Sequence, residues 1–185
     1  MNTNFYKEVG ESFSETRQHP WDGWKLCKKY IKPGSKVLDI GCGNQRFSKF
    51  VSDCDVVGID NSFEADVRLD IVQALLDNNM PEINCDVCVA FGLMHHIPDY
   101  ELRVQLIEYM LKCGDIAIVT FWQMSDKVLS KAESLGNNDY LLGWQDADVR
   151  RFCHNFLNEE IGSLPFEILD DFVADGQNRY LVFNR

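Results

Sequence analysis

The chain has 185 residues, 45% hydrophobic and 12% aromatic, which is enough for one α/β core and too few for two, so one domain over 1–185 is expected. No run reaches the roughly 18 apolar residues of a membrane span, the N-terminus has no signal-peptide core, and seven scattered cysteines suit reduced thiols, all of which points to a cytoplasmic protein without membrane contact or disulfide framework. The net charge of −11 excludes phosphate binding over the whole surface, but residues 1–50 carry nine basic and five acidic side chains, so a polyanion is expected on the N-terminal face.

Residues 4–31 read as one or two helices, with Phe5, Val9 and Phe13 at i, i+4, i+8 and a break at His19-Pro20. After the turn signal Pro33-Gly34, residues 36–40 read as a strand, followed by Gly41-Cys-Gly-Asn44 and a helix to about Val51. Strands are expected at 55–60, 65–69, 86–91 and 115–122, with helices at 71–78 and 100–112 between them. This alternation calls for a parallel sheet covered on both faces. Beyond Trp122 a polar helix is expected over 125–134, a loop at 136–139, a helix over 146–156, and a closing β-hairpin from 165–173 and 179–184.

The most informative stretch is VLDIGCGN at 37–44. Asp39 ends the first strand, where an α/β sheet opens its ligand crevice, and Gly41 and Gly43 let backbone approach a small molecule. A dinucleotide fingerprint would need a third glycine where Arg46 stands. Asp60 ends the second strand, and its acceptor-only carboxylate suits both hydroxyls of a ribose. Asp70 ends the third strand, placed for an adenine amine with Ile71 against the ring, and Phe91 follows the fourth. This spacing resembles that of class I S-adenosylmethionine-dependent methyltransferases, whose cofactor carries adenosine but no phosphate. The resemblance implies a Rossmann-like α/β core over 35–185, with a mostly parallel seven-stranded sheet, a C-terminal antiparallel hairpin and an N-terminal helical lid over 1–31.

Further motifs resemble the tRNA wobble-uridine carboxymethyl methyltransferases. FSETRQHPW at 13–21 is similar to that family's F-S-x-T-R-x-x-P-W, the 94–111 segment MHHIPDYELRVQLIEYML to its H-H-x-x-x-x-x-x-R, RRFCHNF at 150–156 to its R-Y-Y-H-x-[YF], and Asp175-Gly-Gln-Asn178 to its closing D-N-W. Two segments depart: Gln45-Arg46-Phe47 replaces Gly-Lys-Tyr, and Phe121-Trp122-Gln123 shortens a Trp-Ala-Leu-Glu-Gln stretch. The resemblance implies S-adenosyl-L-methionine as cofactor, the carboxylate of 5-carboxymethyluridine in a tRNA anticodon loop as acceptor, and, in a eukaryote, a small zinc-binding activator protein as partner. The apolar third strand is the expected sheet edge for that partner.

A carboxylate acceptor is already ionised and needs no general base, so the protein must aim and desolvate it. An arginine fork suits that task, and the candidates are Arg17, Arg103, Arg150 and Arg151. Arg17, His95, Arg150 and His154 are expected to face the acceptor side, with Trp21 available to stack on a base. Cys85 and Cys88 form a CxxC without a second cysteine pair, which reads as core packing and leaves no metal site expected. Two alternatives stay open: a methyltransferase for a small carboxylic acid, and an inactive methyltransferase-like binding module.

Overall fold

A computed structural model describes residues 5, 6, 8–10, 12, 16, 19–145 and 147–185. Seven strands form one sheet in the order β3-β2-β1-β4-β5-β10-β9, with β1 (Lys36–Ile40), β2 (Asp55–Asp60), β3 (Val67–Arg68), β4 (Val87–Ala90) and β5 (Ile116–Trp122) parallel. The expected closing hairpin is β9 (Ile168–Ala174) and β10 (Asn178–Asn184), which pairs antiparallel with β5. Crossovers from β1 run one way to β2 and β3, and those from β4 run the other way to β5, so their loops diverge above β1 and β4. A crevice opens at such a switch point.

The central strands are apolar throughout because both sheet faces are covered. Alternate residues serve opposite layers: Leu38, Cys88, Ala90 and Leu181 pack with Leu102, Leu106, Ile107 and Met110 of the helix Tyr100–Cys113. Val37, Val87, Val89, Ile118 and Val182 pack with Trp24 and Cys27 of the helix Asp22–Cys27 and with Phe47 of the helix Arg46–Phe50. The CxxC thiols of Cys85 and Cys88 lie 3.3 Å apart at the foot of β4, where Cys88 is fully buried.

The segment after β5 departs from expectation. The polar helix is confined to Asp126–Leu129, and a second, antiparallel sheet follows, made of β6 (Glu133–Gly136), β7 (Asp139–Trp144) and β8 (Ala147–His154). The expected helix over 146–156 is therefore strand β8. Val149, Phe152, Cys153 and Phe156 satisfy helical spacing, but Asp148 and Arg150 are exposed between partly buried Ala147 and Val149 and buried Arg151, and pairing with β7 settles the conformation. The β6–β7 turn is made by Asn137 and Asn138, both at positive φ (51° and 62°), the conformation a tight hairpin demands and Asn tolerates. The third strand shrinks from 65–69 to the two residues of β3, an edge of the sheet as expected.

An ionic cluster ties the small sheet to the large one. His154 Nδ1 lies 2.6 Å from Asp139 Oδ1 and its Nε2 2.7 Å from Glu160 Oε2, while Arg103 Nη1 lies 2.6 Å from Glu160 Oε1. Arg103 also donates to the carbonyls of Ile97 (2.9 Å) and Pro98 (2.8 Å), fixing the loop that follows His95 and His96. Burial by itself raises the Glu160 carboxyl, but His154 and Arg103 outweigh it and hold the group below its usual 4.5. Glu160→Gln should leave the buried Arg103 without its counter-charge and cost about 3 kcal/mol in urea unfolding at pH 7. A depressed carboxyl contributes stability above its unfolded pKa, so the deficit should be full above about pH 4.5 and fade as pH falls through the folded value.

Candidate active site

A crevice of about 1210 Å³ opens over the carboxyl ends of β1, β2, β3 and β4. Asp39, Gly41, Gly43, Asp60, Asp70, Ile71 and Phe91, the whole expected cofactor set, line it together. Its floor is the turn after β1: Gly41 (φ +80°) donates its N–H to the Ile59 carbonyl at 2.7 Å, and Gly43 (φ +53°) donates to Asp60 Oδ2 at 3.1 Å. Asp60 Oδ1 accepts from the Ser62 N–H at 2.7 Å, so each oxygen keeps a lone pair for a ligand hydroxyl. Asp70 caps the helix Ile71–Leu76 through the Gln73 N–H at 3.2 Å, which fixes its carboxylate at the rim. A Cβ at Gly41 would press on Leu93 at 3.1 Å, and one at Gly92 (φ +69°) on Trp21 at 3.2 Å, so both glycines let these side chains close onto bare backbone.

Asp39 is the most perturbed of these acids. It is 2% exposed and accepts no hydrogen bond from the described residues. Burial first, then the charge of Asp60, pushes its carboxyl up to about 7, with Arg46 pulling the other way. A buried carboxylate in this condition is stabilised by a cationic or N–H donor, which a ligand in the crevice can supply. Three acceptor-only carboxylates at successive strand ends suit an ammonium, two ribose hydroxyls and an adenine amine, and they repel a pyrophosphate. The donor set therefore fits S-adenosyl-L-methionine.

His95, His96, Trp122, Tyr6 and Arg151 line the same crevice. His96 Nδ1 donates to the Phe152 carbonyl at 2.8 Å, leaving Nε2 to face the Tyr6 hydroxyl at 3.0 Å. His95 packs edge-on against Trp122 with ring centroids 5.0 Å apart. Arg151 is 7% exposed, its guanidinium 5.2 Å from the Phe5 ring centre.

Of the four residues expected on the acceptor side, His95 lines the crevice. Arg150 is not: it points outward from β8 and pairs with exposed Glu133, while its neighbour Arg151 faces the crevice. The correction follows from strand geometry, which sends adjacent side chains to opposite faces. His154 is also displaced, since both its ring nitrogens are taken by Asp139 and Glu160 in the cluster beneath the site. Arg17 lies outside the described residues. Trp122, Tyr6 and Trp24 also line the crevice, and no spacing in the sequence marks them. His95, His96 and Cys153 bring three ligand atoms within 4.8 Å of one another. A cation there would meet the Arg151 charge, and burial holds the Cys153 thiol protonated, up to about 11.

A match to the family described as Methyltransferase domain spans residues 13–164. The chain belongs to this methyltransferase family. It is similar to tRNA (carboxymethyluridine(34)-5-O)-methyltransferase ALKBH8 of Mus musculus, 30% identical over 131 residues, which are 66% of this chain and 20% of that protein. The tRNA (carboxymethyluridine(34)-5-O)-methyltransferase of Saccharomyces cerevisiae is 27% identical over 133 residues, 64% of this chain and 47% of that protein. The chain thus spans about a fifth of the length of the first relative and about half of the second. Among solved structures, a SAM-dependent methyltransferase of Methanosarcina mazei shares the fold with a TM-score of 0.64 at 15% identity, over 86% of this chain and 96% of that one. The fold is that of the class I S-adenosylmethionine-dependent methyltransferases, and S-adenosyl-L-methionine is the cofactor its crevice fits. No helix among the described residues is long and apolar enough to cross a membrane.

The raised Asp39 carboxyl has a measurable sign. The folded protein holds this proton more tightly than the unfolded chain does, whose carboxyl titrates near 4, so stability falls as pH rises from about 4 to about 7 and is level above. Relative to Asp39→Asn, the ligand-free wild type should lose on the order of 3 kcal/mol between pH 5 and pH 8 in denaturant unfolding. A parallel pH profile for the two proteins would contradict the assignment.

Proposed function

We propose that this methyltransferase esterifies a carboxylate, that of 5-carboxymethyluridine at the wobble position of a tRNA anticodon loop. The observation that carries this reading is the buried Arg151 lining the same crevice as the strand-end acids, next to Phe152, whose carbonyl holds His96. The names of the two relatives favour the same acceptor. Asp39, Asp60, Asp70 and the glycine turn hold the cofactor, with Ile71 and Phe91 against its apolar surfaces. When bound, S-adenosylmethionine supplies an electrophilic methyl group on a sulfonium.

The protein's part is positional. Arg151 receives the acceptor carboxylate and orients it in the crevice. An ionised carboxylate acceptor has no proton to lose, so the residues around it need supply no general base to use the methyl group that the bound cofactor would provide. His95, wedged against Trp122, borders the acceptor and keeps water from the path. His96, oriented by Phe152, positions Tyr6 and the top of the same wall. The tRNA reaches the site over the N-terminal part of the chain, where the basic excess lies. For an activator protein, β3 at the sheet edge, with Leu76 (56% exposed) nearby, is the face we assign.

The test is methyl-ester formation on an anticodon stem-loop carrying 5-carboxymethyluridine, followed by mass spectrometry of its nucleosides. Arg151→Ala should lower kcat/KM about 100-fold while cofactor affinity stays within about threefold. Arg150→Ala, on the outer face, should stay within about threefold of wild type. Equal losses in both variants, or transfer to small carboxylic acids but not to the RNA, would refute the reading.

A further inference from the structure

We propose that Cys85 and Cys88 are a thiol-modification site, a dithiol that a low-molecular-weight disulfide of the glutathione class converts reversibly into an intramolecular disulfide. The two sulfurs lie 3.3 Å apart in the reduced protein, and an S–S bond of about 2.0 Å needs them to close by about 1.3 Å. The pair sits at the amino end of β4, whereas the crevice opens at the carboxyl ends of the strands, so methyl transfer uses neither thiol. The inference is independent of the methyl acceptor and of the cofactor.

The surroundings prepare the two sulfurs for exchange. The Cys85 N–H donates to the Cys113 carbonyl at 3.0 Å, which ties the segment entering β4 to the end of the helix Tyr100–Cys113. A Cβ at Gly114 would approach the Cys85 sulfur to 3.2 Å, so the glycine leaves that thiol its place. Cys88 is fully buried and Cys85 is partly exposed, so a reagent in solution meets Cys85 first. Cys88 also hydrogen-bonds the Cys113 thiol. It has a single proton to share between these neighbours. Donated to Cys85, that proton favours the Cys85 thiolate and holds the thiol below its ordinary value, against the opposing effect of burial. The hydrogen bonds to Cys113 and Cys85, and then burial, keep Cys88 itself protonated. The outer sulfur is therefore the nucleophile and the inner one the resolving group.

The exchange takes two steps. The Cys85 thiolate attacks one sulfur of the reagent to form a mixed disulfide, and the reagent's own S–S bond breaks to release a thiolate, which takes up the proton that Cys85 gave up. The Cys88 sulfur then attacks the Cys85 sulfur of the mixed disulfide, its proton passes to the second departing thiolate, and the Cys85–Cys88 bond closes. The two cysteines together lose two electrons, and one reagent disulfide is reduced to two thiols.

The experiment incubates the whole reduced protein with glutathione disulfide at about pH 7, blocks the remaining thiols with N-ethylmaleimide and maps the tryptic peptides by mass spectrometry. Trypsin leaves Cys85 and Cys88 together in the peptide 69–103 and Cys113 in the peptide 113–127. Wild type should yield 69–103 two hydrogens lighter and unlabelled at both cysteines, and dithiothreitol should restore both labels. Cys88→Ser should stop at a glutathione adduct on Cys85, and Cys85→Ser should slow oxidation of Cys88 by about 20-fold or more. If Cys88→Ser does not fold, the wild-type map and Cys85→Ser decide. A cross-link between 69–103 and 113–127, a glutathione adduct that persists on Cys85 in wild type, or full labelling of both thiols after the incubation would overturn the proposal.

Discussion

The reversal of strand order between β1 and β4 is the constraint on which the site depends. Crossovers leave these two neighbours in opposite directions, so no loop covers their carboxyl ends, and a crevice forms without any apolar core being given up. Every cofactor-side group is then delivered by the end of a strand or the turn that follows it. The strands are held in register by backbone pairing and two apolar layers, and the carboxylates inherit that rigidity.

Rigidity of this kind has a cost at Asp39. Its carboxyl is buried at the crevice, near the charge of Asp60 and without a hydrogen-bond donor among the described residues, an arrangement that disfavours the ionised form. A cationic ligand group at this position would relieve the conflict and raise the protein's stability on binding. Asp60 and Asp70 are treated differently, since loop and helix N–H groups satisfy them in advance.

The crevice wall of His95, His96 and Arg151 is built by long-range packing. Strand β8 brings Arg151 to the crevice, and its Phe152 carbonyl orients His96, while the cluster of Arg103, Glu160, His154 and Asp139 fastens β7 and β8 to the loop behind the two histidines. Histidine in such a place resembles a catalytic residue in sequence but serves as a strut. Across the crevice, Trp21, Trp24, Phe47 and Phe91 form a continuous aromatic wall that ties the start of the chain to the cofactor turn.

Asp39, Gly41, Gly43, Asp60, Asp70, Ile71 and Phe91 were legible in the sequence because each lies at or just past a strand end, and period-two apolar runs with glycine turns are local signals that survive without tertiary information. The parallel core and the closing hairpin were legible for the same reason. The small sheet was not, since β8 satisfies helical spacing at Val149, Phe152, Cys153 and Phe156, and only pairing with β7 makes it a strand. That pairing decided which of two adjacent arginines enters the crevice and removed His154 from it. A helix and a strand send neighbouring side chains in different directions, and the choice between them was made here by hydrogen bonds to residues distant in the chain.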